Sequence, residues 1–183
     1  RGRHEAPLRT AYQVVSIPMY AYLAWTGWTE SRRMWNRRWT AHSYDGDYAL
    51  ALLFLRFVTH SPLDLLMSRA RTTLAAHHVV CGTAILVSLV SERLEVFVLR
   101  LFVAEGTSMP LALVDLIPPT TWPRVYTLNG MVLWVSFLVT RILLVAYTAS
   151  VYLEEMSSRA RHAHEFTIVP VGWIALLVLN GYW

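Results

Sequence analysis

The stretch Thr72–Ser91, TTLAAHHVVCGTAILVSLVS, decides the fold. It carries no formally charged residue. About 20 residues rising 1.5 Å each cover the ~30 Å hydrocarbon core of a bilayer. Two adjacent histidines, His77 and His78, sit inside it. Ionisable side chains at membrane depth are costly, so they turn towards a bundle interior or a wet cavity. The pair is the strongest pointer to a site in the chain.

Composition extends this reading. Hydrophobic residues make up 55% of the 183 residues and charged residues 15%, with a mean hydropathy of +0.39. Several apolar runs exceed the length that separates a membrane span from a buried core helix. They do not alternate at period two, which excludes a β-barrel. The expectation is an all-α, polytopic membrane protein whose single domain fills residues 1–183. Six segments are expected to cross: A (Thr10–Thr29), B (Asp47–Met67), C (Thr72–Ser91), D (Leu94–Ile117), E (Val125–Leu153) and F (Phe166–Trp183). Pro18 is expected to kink A. Segment E, ~43 Å if wholly helical, must tilt or protrude. The connection Glu30–Gly46 mixes four arginines with Trp35 and Trp39, the chemistry of a membrane interface. Asp45 or Asp47 is expected to cap segment B.

All 16 basic residues are arginine. Either a GC-rich coding sequence or selection for bidentate contacts to phosphates and carboxylates accounts for this. The net charge of +4 suits anionic headgroups. No basic stripe lies outside the spans, so no nucleic-acid partner is expected. With six spans both ends fall on one side. That side has six arginines near the bilayer and the other has seven, a balance that gives no orientation. The single cysteine, Cys81, excludes an internal disulfide and a cysteine zinc cage. The chain opens on Arg1-Gly2-Arg3 and ends on Trp183 directly after an apolar run, so both ends read as cut.

Alternating span directions place His60, Asp64, His77, His78, Asp115 and Asn129 at similar depth in one half of the membrane. If their faces agree they form a polar, lipid-binding pocket. Neighbouring helical residues point about 100° apart, so one histidine is expected to face the pocket and the other a neighbouring helix. Glu105 lies near mid-membrane, as do Arg56 and Arg141, and is expected to pair with one of them as a clamp on helix register. Arg100 is near enough to an interface to snorkel. Cys81 lies one turn after His77, but a cysteine–histidine nucleophile is the weaker reading. His162-Ala-His164 reads as a solvated loop. Asp45-Gly46-Asp47 has the flavour of a calcium loop without the other ligands, so no metal and no cofactor is expected.

Three motifs in order carry a family resemblance. They are Arg69 with His77-His78-Val79-Val80, then Glu105-Gly-Thr107-Ser108-Met-Pro110, then Asn129-Gly130 with Phe137-Leu-Val-Thr-Arg141. Together, across Asp47–Tyr152, the chain resembles the TLC-domain family. That family includes ceramide synthases, translocation-associated membrane proteins and lipid-homeostasis proteins, and its core has six helices. The chain is most similar to the branch without ceramide synthase activity. The acidic motif of paired aspartates is missing, because segment D offers only Glu105 and Asp115, far apart. Gly46-Asp47-Tyr48 also runs into alanine and leucine where an aspartate is usual.

The resulting expectation is a non-catalytic integral membrane protein. It would hold a phospholipid or sphingolipid and dock onto other membrane subunits, as an accessory part of a larger organellar assembly such as a respiratory complex. The mitochondrial inner membrane and the endoplasmic reticulum are both open as its location. The alternative is a lipid acyltransferase with His77 or His78 as base beside Asp64. A proton or solute pathway is a third reading, disfavoured by the lack of an inverted repeat.

Overall fold

The computed structural model describes residues 5–67 and 71–182, with side chains over 10–59 and 76–181. The described chain is a set of helices joined by short turns. Helix α1 spans Glu5–Met34 and continues into a 3₁₀ turn at Trp35–Arg37. Helices α2 and α3 span Tyr44–Met67 and Arg71–Ser91. Helix α4 (Glu95–Phe102) runs through a 3₁₀ segment, Val103–Thr107, into α5 (Ser108–Leu116). Helix α6 (Pro123–Ser136) passes through a π-helical stretch, Phe137–Leu144, into α7 (Val145–Arg159). The short α8 (Ala163–Phe166) leads into α9 (Ile168–Tyr182).

Three runs are long and apolar enough to cross a membrane among the described residues: Glu95–Leu116, Pro123–Arg159 and Ala163–Gly181. Ala76–Ser91 is a shorter apolar helix. The Pro123–Arg159 run has 37 residues, about 55 Å of helix against a ~30 Å core. It must tilt or extend past the hydrocarbon. Its apolar surface, including Leu128, Met131, Val132 and Val135, is exposed, as a lipid-facing helix requires.

Local chemistry sets the helix ends. Helix α1 does not stop at Glu30, where a loop is expected, but runs on to Met34, with Glu30 and Arg33 paired one turn apart along it. Helix α2 is capped by Ser43 rather than by Asp45 or Asp47. The Ser43 hydroxyl accepts the Gly46 N–H at 2.9 Å. The turn between α3 and α4 is tight, with Glu92 and Leu94 both at positive φ. The 3₁₀ segment before α5 brings Pro110 into the first turn of a fresh helix, where its missing N–H costs little.

Helix α4 holds the bundle together. Its Val96, Leu99 and Phe102 pack with Leu23 of α1, Leu50 and Leu53 of α2 and Ile85 of α3. Its Phe97 turns the other way, to Trp39, Val145 and Tyr152 of α7 and Trp173 of α9. The loops at the Glu95 end are clamped by buried carboxylates. Glu165 accepts from Arg93 Nε at 2.6 Å and from the His162 N–H at 3.1 Å, while Arg93 also donates to the Arg159 carbonyl at 2.9 Å. Tyr152 donates to the Glu165 carbonyl at 2.6 Å. Glu155 accepts from Arg38 and, at 2.8 Å, from the Trp39 indole.

Gly27 of α1 allows α4 its close approach. A Cβ there would lie 2.4 Å from the Leu99 carbonyl oxygen and 2.7 Å from Phe102 Cβ. Gly27→Ala therefore forces backbone apart, and it should cost about 1–3 kcal/mol, read as a lower unfolding temperature in detergent. Gly130→Ala, where nothing lies within 4 Å, is the matched control and should not lower it.

Candidate functional site

Helix α3 presents its two histidines to different neighbours. His78 stacks on Phe57 of α2, with ring centroids 5.0 Å apart. His77 points into a cavity that also receives Cys81, Glu105, Arg141 and Asn180. The cavity volume is about 30 Å³, enough for one or two water molecules.

Each polar side chain reaches the cavity for a local reason. Cys81 lies one helical turn beyond His77, with its Sγ 3.6 Å from His77 Nε2. Glu105 comes from the 3₁₀ segment. Arg141 comes from the π-helical stretch, a widened turn of the kind that often marks a functional position. Its Nε donates to Thr107 Oγ1 at 2.7 Å, and one terminal nitrogen donates to Ser108 Oγ at 3.4 Å. Ser108 in turn donates to Glu105 Oε2 at 3.2 Å. Glu105 thus meets Arg141 through a serine hydroxyl, not by the direct ion pair expected of it. Arg56 turns instead to α1, where its guanidinium donates to the hydroxyls of Tyr12 (2.8 Å) and Tyr20.

Asn180 closes the site from α9. Its amide nitrogen donates to the Arg141 carbonyl at 3.0 Å. That bond fixes which way the amide faces. Its Oδ1 is then buried without a hydrogen-bond partner, on a residue 5% exposed. A buried acceptor left unsatisfied costs about 1–3 kcal/mol. An occupant that carries a donor would remove that cost.

A second, apolar chamber adjoins the cavity. It lies between α3, α4 and α9, with a cavity volume of about 190 Å³, and is lined by residues such as Val79, Thr83, Val87, Phe97 and Val171. The two spaces share Ala84, Val98, Leu101 and Leu176. Trp173, 4% exposed, also lines the chamber, and its indole nitrogen has no partner. Trp173 and Asn180 are seven residues apart, two turns on one face of α9, so the chamber and the polar cavity follow each other along that helix.

Of the other expected site residues, Asp115 and Asn129 turn elsewhere. Asp115 accepts from Gln13 of α1 at 3.2 Å, on the exposed side of the bundle. Asn129 donates to the Pro110 carbonyl at 2.8 Å and ties α6 to α5. The side chains of His60 and Asp64 lie outside the described residues. Sequence reasoning missed Asn180, a single amide in the terminal apolar run, and treated Thr107 and Ser108 only as parts of a motif. For a metal, the described residues bring His42, Asp47 and Glu95 together, with ligand atoms within 4.8 Å of one another. Glu95 there already accepts from His42 (2.7 Å) and from the Ser43 N–H (3.1 Å). A Cβ at Gly46 would fall 2.0 Å from its Oε1. The group works as a clamp between the two loops.

Ser108→Ala removes the bridge while leaving both charges, and should destabilise the fold by about 1–3 kcal/mol. A double-mutant cycle with Glu105→Gln in thermal unfolding should give a coupling above ~0.5 kcal/mol. Strict additivity would mean that the serine bridges nothing.

With this geometry in place, the family model described as the TLC domain matches residues 5–183. No curated protein and no solved structure matches the chain.

Proposed function

The chain belongs to the TLC-domain family, a family of lipid-related membrane proteins, and from its geometry we propose that it is a non-catalytic module that holds a lipid inside its helical bundle. In this reading all six helical runs cross the membrane: α1, α2, α3, α4–α5, α6–α7 and α8–α9. The observation that carries the proposal is the shared wall between the polar cavity and the apolar chamber. A hydrocarbon chain fits the chamber, and a hydroxyl or amide group fits the cavity. There it would donate to Asn180 Oδ1 and lie beside His77 and Arg141.

What surrounds His77 supports binding over turnover. A general base is normally held in one tautomer by a third group. Among the described residues, the only hydrogen-bond-range contact of His77 is with Cys81. The Glu105 carboxylate is engaged by Ser108. The exposed apolar face of α6 supports the accessory role, because it leaves a lipid or subunit contact surface on the longest run. In this reading that face also docks the protein into a larger organellar membrane assembly. The alternative, an acyltransferase with His77 as base, has in its favour that Arg141 and Asn180 stand in the same cavity as that ring.

Lipid retention separates the two readings. Asn180→Leu and the double variant His77→Ala/His78→Ala should each purify folded but with several-fold less co-purifying lipid, measured by lipid mass spectrometry. Acyl transfer from acyl-CoA, assayed on the wild-type protein, should be at background. Turnover in the wild type that disappears in the double variant while folding is intact would establish the enzyme instead.

A further inference from the structure

Arg100 lies in the second turn of α4, inside a run apolar enough to span the membrane. Its side chain is part-buried, and its Nε is fully buried without a hydrogen-bond partner. Among the described residues this guanidinium makes no hydrogen bond and no ion pair. Its neighbours at this end of the bundle differ. Arg38 is neutralised by Glu155, and Arg93 by Glu165. What surrounds Arg100 is aromatic. Its Cζ is 5.6 Å from the ring centroid of Trp28 and 4.8 Å from that of Trp35. Tyr147 of α7 stacks on Trp35 at 6.2 Å and stands within electrostatic reach of Arg100. Trp28 and Tyr147 are 43% and 51% exposed, so the cleft opens outward.

Rings that cover the face of a guanidinium supply cation–π attraction but accept no N–H in its plane. The planar edge of Arg100 still needs oxygen acceptors, and a charge at this depth still needs a counter-charge. The Tyr147 hydroxyl, which makes no hydrogen bond among the described residues, adds a donor beside it. Arg100 is five residues past Glu95, about 8 Å along the helix. The apolar run begins at Glu95, so Arg100 lies near one end of it, within reach of the headgroup boundary.

We propose that Arg100, Trp28, Trp35 and Tyr147 form a binding site for the phosphate of an anionic phospholipid, at the headgroup boundary near the α4 N-terminal end. The guanidinium edge and the Tyr147 hydroxyl donate to the phosphate oxygens, and the indoles lie against the glycerol and upper acyl chain. This site is separate from the cavity at His77 and does not depend on it. A free phosphate offers the same oxygens but no apolar body for the exposed rings.

The test is native mass spectrometry of the full chain in neutral detergent, titrated with phosphatidic acid and with diacylglycerol of the same acyl chains. Wild type should bind the phosphatidic acid about tenfold more tightly than the diacylglycerol. Arg100→Gln should abolish that preference. Arg100→Lys, which keeps the charge without the planar fork, should retain part of it, and Tyr147→Phe should weaken it several-fold. The last two variants decide the matter if Arg100→Gln does not fold. Equal affinity for the two lipids in wild type, or a preference unchanged in all variants, would overturn the proposal. Displacement of the bound lipid by millimolar inorganic phosphate would overturn the lipid as occupant and assign the site to free phosphate.

Discussion

In hydrocarbon a polar group has no solvent to fall back on, so every one must be satisfied from within the bundle. The rest of this structure follows from that constraint. The described backbone is a set of helices joined by short turns; Glu105, Asp115 and Arg141 on the apolar runs find partners within the bundle, while Arg100 lies against aromatic rings. Arg141 shows the logic best. It sits in the middle of the longest apolar run, where a π-helical stretch carries it, and two hydroxyls, Thr107 before α5 and Ser108 at its start, accept hydrogen bonds from it. Ser108 passes the link on to Glu105. Charge is spread over a short chain of hydrogen bonds instead of being concentrated in one contact.

The same constraint explains the division of labour along the bundle. At the Glu95 end the loops are locked by buried carboxylates on arginine, histidine and backbone N–H groups. The apolar chamber begins beside these clamps, at Leu94 and Phe97, and the polar cavity follows towards the 3₁₀ segment into which α4 runs. A rigid cap over a looser interior suits a protein that retains a ligand. The two polar atoms left without partners along this path, Asn180 Oδ1 and Trp173 Nε1, both belong to α9 and both line one of the two spaces.

The helical character of the chain is legible in its sequence because length and apolarity are one-dimensional properties. The stretch around His77 reads correctly as helix almost to the residue, Arg71–Ser91 against an expected Thr72–Ser91. Ends set by side-chain pairing are less legible. Helix α1, with Glu30 and Arg33 paired along it, runs on through what reads as a loop, and Ser43 starts α2 before the aspartates. The site is half legible for a related reason. Sequence gives the depth of a polar residue in the membrane but not the direction it faces around its helix, and packing partners fix the latter. Asp115 and Asn129, expected at the depth of His77, face Gln13 and the Pro110 carbonyl. Asn180 reaches the cavity from the last helix, where nothing in its apolar neighbours marks it out.

A structure determined by electron cryo-microscopy in lipid nanodiscs bears most directly on the central claim, that an apolar chamber bounded by α3, α4 and α9 leads into a polar cavity at His77, Arg141 and Asn180. The account predicts elongated density in the chamber, ending in a group within hydrogen-bonding distance of Asn180 Oδ1. A chamber closed by the side chains of Val87, Leu101 and Val171, with the His77 and Arg141 side chains turned out to the acyl chains, would contradict it.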